Sequence, residues 1–273
     1  MTNKYICKLL FLMAFLLLLE NTNYPAQAQV LSESAKTGGG IEIEAKDGIE
    51  WIRDEVAKTG QYHARGDAVA RRDGVVINAD ELIAYYRPDA TGKGQDIFRM
   101  DAIGHVKIIS ENSTAIGDKA VYHIDKKVAV LVGDNLKFKS PNAVITAKES
   151  LEYWETKSIA VARGDATVVQ GDKRLQAGVL TAFITTNKKT KKQDIERIDA
   201  TSGVHISTPT EIVRGREGVY NLTTEIATLC GDVKITRGQN QLNGECAEVN
   251  MKTGRSEIKG GSGKVKGLII PSQ

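Results

Sequence analysis

The sequence predicts an all-β chain: one curled antiparallel sheet built from repeated strand-turn-strand units. Three observations carry this. A 98-residue stretch recurs without a gap, apolar residues alternate with polar ones at a period of two, and no apolar 3,4-spacing is sustained over three turns.

The duplication comes first. Ala64-Arg65-Gly66-Asp67 returns as Ala162-Arg163-Gly164-Asp165, and Gln95-Asp96-Ile97 as Gln193-Asp194-Ile195, both offset by 98. Val121-Tyr122 and Val219-Tyr220 keep the same offset, as do Gly133-Asp134 and Gly231-Asp232. The two copies are 64–161 and 162–259. Ala45–Trp51 resembles Ala147–Tyr153 at an offset of 102, a trace of an earlier copy. Each block divides into three strand-turn-strand units of about 30 to 40 residues, a length usual for structural repeats.

Within the units, Leu136 and Phe138 alternate with Lys137 and Lys139, and Val204 and Ile206 with His205 and Ser207. Val233 and Ile235, then Ala247, Val249 and Met251, behave alike. Period two places one set on a buried face and the other in water. The 26 glycines fall largely between these runs and the five prolines stay out of them, which suits many short strands. A sheet with one apolar face must close that face against something. Without helices it curls on itself. A parallel β-solenoid is the competing topology, but it calls for a shorter, stricter rung period.

The N-terminus reads as a signal peptide over 1–28. Lys4 and Lys8 precede the apolar run Leu9–Leu19, and Ala26-Gln27-Ala28 offers a small-x-small cleavage site. Eleven apolar residues are too few to span a bilayer core, which needs about 20. This reading predicts secretion to the periplasm. Residues 29–44 read as a linker, 45–260 as the repeat domain and 261–273 as a tail outside the repeat, either a flexible end or a cap on the last strand.

Removing Lys4, Lys8 and Glu20 from 37 basic and 34 acidic residues leaves 35 against 33, a balance that gives no footprint for nucleic acid. Cys230 and Cys246 can pair in an oxidising compartment or stand as two thiols. His63, His105, His123 and His205 share no metal-ligand spacing, and no nucleophile elbow or phosphate-binding loop is present. Catalytic residues, metal ligands and cofactors are therefore all assigned as none, and the chain is read as a non-enzyme. Arg65-Gly66-Asp67 and Arg163-Gly164-Asp165 read as turns, because Gly-Asp recurs without the Arg. Lys188–Lys192 reads as a solvated hairpin tip or as a contact for lipid phosphates.

The signal segment, the small-polar-polar-apolar-x-Tyr units and the Gly-Asp elements together resemble the LptA/OstA family and its OstA-like domain. The resemblance covers about residues 41 to 260. It is strongest at Ala64–Arg87 and Gln95–Asp134 and at their repeats Ala162–Ile184 and Gln193–Asp232. It implies a twisted, open β-jellyroll that carries lipopolysaccharide, with lipid A acyl chains inside. The implied partners are an inner-membrane export complex, an outer-membrane translocon and further copies joined end to end.

On this reading Leu136, Phe138, Val204, Ile206, Val233, Ile235 and Val249 line an apolar lipid-binding trough. Ile49 and Trp51 mark one assembly edge; Ala247, Val249 and Met251 mark the other. The alternatives are an LptC-like bridge component, or a carbohydrate-active or structural β-solenoid.

Overall fold

A computed structural model of the chain describes residues 41–270, apart from 73, 93, 187–192, 251, 254 and 262. The proposed signal segment, the Lys188–Lys192 run and Met251 lie outside the described residues.

The first part of the chain forms β1 (Glu42–Glu44), β2 (Gly48–Arg53), β3 (Gly60–Arg72), β4 (Val75–Pro88), β5 (Gln95–Ser110) and β6 (Ser113–His123). The first block closes with β7 (Val128–Val132), β8 (Leu136–Lys139), β9 (Val144–Ala147) and β10 (Ser150–Trp154). The second block holds β11 (Ile159–Gln170), β12 (Lys173–Thr186), β13 (Gln193–Ser207), β14 (Ile212–Gly215), β15 (Glu217–Asn221), β16 (Ile226–Arg237) and β17 (Asn240–Asn250). Two short strands, β18 (Ser256–Lys259) and β19 (Lys266–Leu268), end the sheet.

All 19 strands belong to one sheet, and neighbouring strands run antiparallel throughout. The parallel solenoid is thereby excluded. Several short strands lie end to end and act as one rung. β7 and β8 both pair with β6, and β9 and β10 both pair with β11. β14 and β15 both bridge β13 and β16. The result is a simple meander, each rung paired with its predecessor and successor in the chain. The 98-residue offset is kept in three dimensions: β12 occupies the numbers of β4 shifted by 98, and β16 those of β7 through β8.

Both boundaries of the repeat domain shift. β1 pairs with β3 through Glu42↔Arg71, so the sheet begins inside the stretch read as linker. At the other end β19 pairs with β17, and the Ile270 amide donates to Asn240 Oδ1 at 2.8 Å. Shifted by 98, β11 spans 257–268, the stretch that holds β18, apart from Ser256, and β19. The tail thus takes the place of the next repeat strand and caps the sheet.

Three of the four Gly-Asp elements are not chain-reversing turns but lie inside long strands, where the register slips between Arg65 and Ala68, between Arg163 and Ala166 and between Cys230 and Val233; Gly133-Asp134 lies between β7 and β8. Gly164 (φ 81°) and Asp165 (φ 45°) take consecutive left-handed conformations, as do Gly66 and Asp67. Such a bulge bends the strand sharply. The flanking residues Ala162 and Ala166 are both buried, and so are Ala64 and Ala68. The apolar face therefore continues through the bend on the same side of the sheet. Stacked rung on rung, the bends form a crease, and the sheet folds along it into two wings.

The wings cover one another. Ala68, Val106 and Val233 are 0% exposed, although a one-turn 3-10 helix at Glu155–Lys157 is the only helix among the described residues. Only the opposite wing can exclude water from them. One buried cluster runs from Ala64 to Ala247, and half of its 24 members are alanine. Small side chains let the wings approach closely at the crease.

The bend generates a test. A Cβ on Gly164 would sit 2.8 Å from the Glu149 amide nitrogen, at a φ that side chains rarely adopt. Gly164→Ala should cost about 1–3 kcal/mol and lower the urea midpoint. An unchanged midpoint contradicts the strained bend.

Candidate functional site

The space between the wings is the candidate site, and its two walls differ. On one wing the inward row runs Phe138, Ile145, Val168, Leu175, Ile206, Val213 and Ile235, each directly opposite the next. On the other it runs Trp51, Tyr62, Ala84, Met100, Tyr122, Ala129, Tyr153 and Ala160, and continues through Ile198, Tyr220 and Ala227 to Val249. The first wall is aliphatic. The second alternates tyrosine with small residues, so each ring has room beside a short neighbour.

Between the walls of the first block lies an apolar cavity of about 80 Å³. Ile77, Ile108, Ala115 and Phe138 line it from the aliphatic wing; Ala84, Met100, Tyr122 and Tyr153 line it from the tyrosine wing. Ser110, buried, and Ser113, half-buried, also line it, and Ser140 is buried after β8. Ser110 and Ser113 hydrogen-bond to each other, and Ser140 to the Ala143 backbone. Burial pushes the Tyr153 phenol up to about 12 and raises Tyr122 as well. Both rings stay protonated and neutral against the apolar space. At the N-terminal end Trp51 Nε1 donates to the Tyr86 hydroxyl at 2.6 Å, and the Trp51 and Tyr62 rings stack at 5.7 Å.

Of the residues expected to face the trough, Leu136, Phe138, Val204, Val233 and Ile235 lie in the buried cluster and Ile206 packs against it. These six share the aliphatic wing. Val249 is half-buried on the tyrosine wing. The sequence reading missed the tyrosine wall, although a Tyr recurs in most strand units and signals it.

The two edges turn out differently. β2, carrying Ile49 and Trp51, pairs only with β3 and is exposed throughout. The edge expected at Ala247–Met251 is corrected. Among its described residues, Ala247 is buried at 1%, and β17 is covered by β18 from Cys246↔Lys259 to Val249↔Ser256. The C-terminal edge is formed by β18 and β19 instead.

Cys230 and Cys246 face each other across β16 and β17 with Cα atoms 4.1 Å apart, joined as a disulfide. It lies beside the last bend and closes a 16-residue separation, a length for which a cross-link contributes roughly 3 kcal/mol.

The charged groups at the bends are structural. Arg65 pairs with Glu50 and hydrogen-bonds His63, which also contacts Glu81. His105 pairs with Asp80. No cluster of three or more metal-ligating side chains occurs among the described residues. Glu152 is buried between Arg163, Trp154 and Ser150. Burial works to raise its pKa, but hydrogen bonds from those three groups hold it below the usual carboxylate value. A depressed folded pKa means stability that is present above the unfolded value and lost as pH falls through the folded one. Glu152→Gln should therefore lower stability at neutral pH and flatten the acid limb of the pH–stability curve. Parallel wild-type and variant curves would remove this role.

Comparison with known proteins follows the same doubling. The family model described as LptA/(LptD N-terminal domain) LPS transport protein matches residues 42–150 and again 145–255. The two matches meet at β9 and β10, one family unit per block. An uncharacterized protein of Rhizobium meliloti (strain 1021) is 29% identical over 140 residues, 50% of this chain and 75% of that protein. The crystal structure of LptH, the LptA-homologous periplasmic component of the lipopolysaccharide transport device of Pseudomonas aeruginosa, aligns with a TM-score of 0.41 at 18% identity. That alignment covers 47% of this chain and 95% of LptH.

Proposed function

Because the chain belongs to the LptA/LptD N-terminal-domain family of lipopolysaccharide transport proteins, we propose that it is a non-enzymatic periplasmic carrier that shelters lipid A acyl chains between its two wings. The observation that carries this reading is the apolar seam itself, continuous along the meander and walled by aliphatic residues on one side and tyrosines on the other. Each buried CH₂ contributes about 0.8 kcal/mol, so a multi-chain lipid needs such a shelter to cross water. The cavity of about 80 Å³ is far below the roughly 300–1,000 Å³ of ordinary ligand sites. Loading therefore requires the wings to part about the crease, which is the one line that joins them. The Cys230–Cys246 disulfide suits an oxidising compartment such as the periplasm.

Two family units in one polypeptide give a single rod of twice the unit length. In this reading the rod forms part of a bridge between an inner-membrane export complex and an outer-membrane translocon. Its ends are strand edges with unpaired backbone groups, suited to β-augmentation by a partner or a second copy. β2 offers one end; β18 and β19, with Leu268 and Ile269 exposed, offer the other.

Filling the seam tests the carrier role. Ala120 lines the cavity and packs against the core. Ala120→Phe should occupy the space at a cost of about 1–3 kcal/mol, leaving a folded protein that captures at least tenfold less lipopolysaccharide. Mass spectrometry of lipids carried by wild type from a periplasmic extract supplies the reference. Full capture by the folded variant, or wild type free of acylated lipid, sinks the proposal.

The edge model makes its own demand. Ile49→Lys combined with Trp51→Lys places charge on the terminal strand and should abolish the concentration-dependent light scattering expected of wild type. Wild type that stays monomeric at high concentration and engages no sheet-edged partner argues against it.

A further inference from the structure

The outer faces of the two wings carry different charge, and the difference is set by register. On the outer side of the tyrosine wing one row holds Asp101, Glu152, Asp199 and Glu248. Each has a basic partner: Arg99, Arg163, Arg197 and Lys259 respectively. These four acids are each neutralised by a neighbour; Glu257, opposite Glu248 on β18, extends the row with an exposed carboxylate.

The aliphatic wing is the opposite. Its outer row begins at Glu44, whose carboxylate pairs with Arg71, and thereafter contains no acid. Lys107, Lys137, Arg214, Lys234 and Lys266 lie in this one row. All five are exposed, and none makes an ion pair among the described residues. Lys107 and Lys137 stand two rungs apart, about 10 Å, and Arg214 and Lys234 are adjacent, about 5 Å. Ile116 separates Lys107 from Lys137; beyond Lys137 the row is filled by Thr146, Thr167, Gln176, His205 and Asn243, side chains that donate and accept hydrogen bonds. Where the two blocks meet, Lys137, Thr146, Thr167 and Gln176 line an open depression of about 700 Å³, whose rim also carries Asp134, Arg174 and the ion pair of Lys148 with Asp165.

We propose that this row is a binding track for a linear acidic glycan, a sugar chain carrying carboxylates or phosphates. The cations would take the anionic groups and the amides and hydroxyls the sugar hydroxyls. The row runs along the meander, across successive strands, so an extended polymer can follow it. No aromatic residue stands in the row, which disfavours single-stranded nucleic acid, whose bases need stacking platforms. It equally disfavours a membrane interface, where Trp and Tyr are enriched.

The test uses the full mature chain, with fluorescently labelled oligogalacturonate as probe and phosphatidylglycerol vesicles as a second arm. Wild type should bind the oligosaccharide with an affinity that falls as salt rises. The triple variant Lys137→Gln, Arg214→Gln, Lys234→Gln should lose at least tenfold, with an unchanged melting temperature and unchanged acyl-chain capture by the seam. Equal binding by wild type and variant, or binding of wild type to vesicles but not to the oligosaccharide, overturns the proposal. The salt dependence of wild type decides the matter even if the variant misfolds: salt-independent binding is incompatible with a cationic track. Because the seam is read separately, failure here leaves the carrier reading intact, and the reverse also holds.

Discussion

An antiparallel sheet with one apolar face and no helix to cover it has to cover itself, and the other features of this molecule follow from that constraint. A meander can roll into a closed barrel or crease down its middle. Here the bulges choose the crease. A pair of consecutive residues at positive φ is costly for ordinary side chains, and one recurs in β3, β5, β11, β13 and β16, as Gly-Asp in three of them. Some intervening rungs break into end-to-end segments at that level, as between β7 and β8, β9 and β10 or β14 and β15, while β4, β6 and β12 run through unbroken. Backbone groups freed by the break are taken up across it. The Lys148 and Glu149 amides donate to Gly164 and Arg163 carbonyls, and the Lys46 and Asp47 amides to those of Gly66 and Arg65.

The crease divides labour between the faces of the sheet. Inner faces are dry and tightly apposed at the bend, where alanine predominates, and widen outward to tyrosine and branched aliphatic side chains. Outer faces keep the charges. On the tyrosine wing the acids sit partly sunk beneath arginines of neighbouring rows; Asp101 is buried and gripped by Arg99 through two contacts of 2.6 Å. A buried carboxylate without that partner would be strongly unfavourable. On the aliphatic wing the cations of the outer row are exposed and make no ion pair among the described residues. An apolar seam and a row of exposed cations therefore lie on opposite sides of the same strands.

Position along the repeat changes what a shared motif does. Trp51 and Tyr153 occupy matching places in β2 and β10. Tyr153 is 3% exposed with a rung on either side, whereas Trp51 is 52% exposed at the end of the sheet. The same logic separates Val132 and Lys148 from their counterparts Cys230 and Cys246. Among the described residues, only the last hairpin, nearest a free end, carries a covalent staple.

Much of this was legible in the residues. Period-two alternation and the absence of helical periodicity suffice for an all-β chain, and an ungapped duplication requires that its strands recur in register. The aliphatic wall was legible too, since Phe138, Ile206 and Ile235 alternate with charged or polar neighbours. What the linear order could not convey is which strands become neighbours and where a strand bends. A Gly-Asp pair reads alike in a turn and in a bulge; only pairing on both sides decides for the bulge. The tyrosine wall, the buried pairing of Arg163 with Glu152, the closure of the Cys230–Cys246 bond and the capping of Ala247 by β18 all join residues on different strands. The row of unpaired cations joins five. Each depends on cross-strand register, which arises when the sheet assembles and has no counterpart in local spacing.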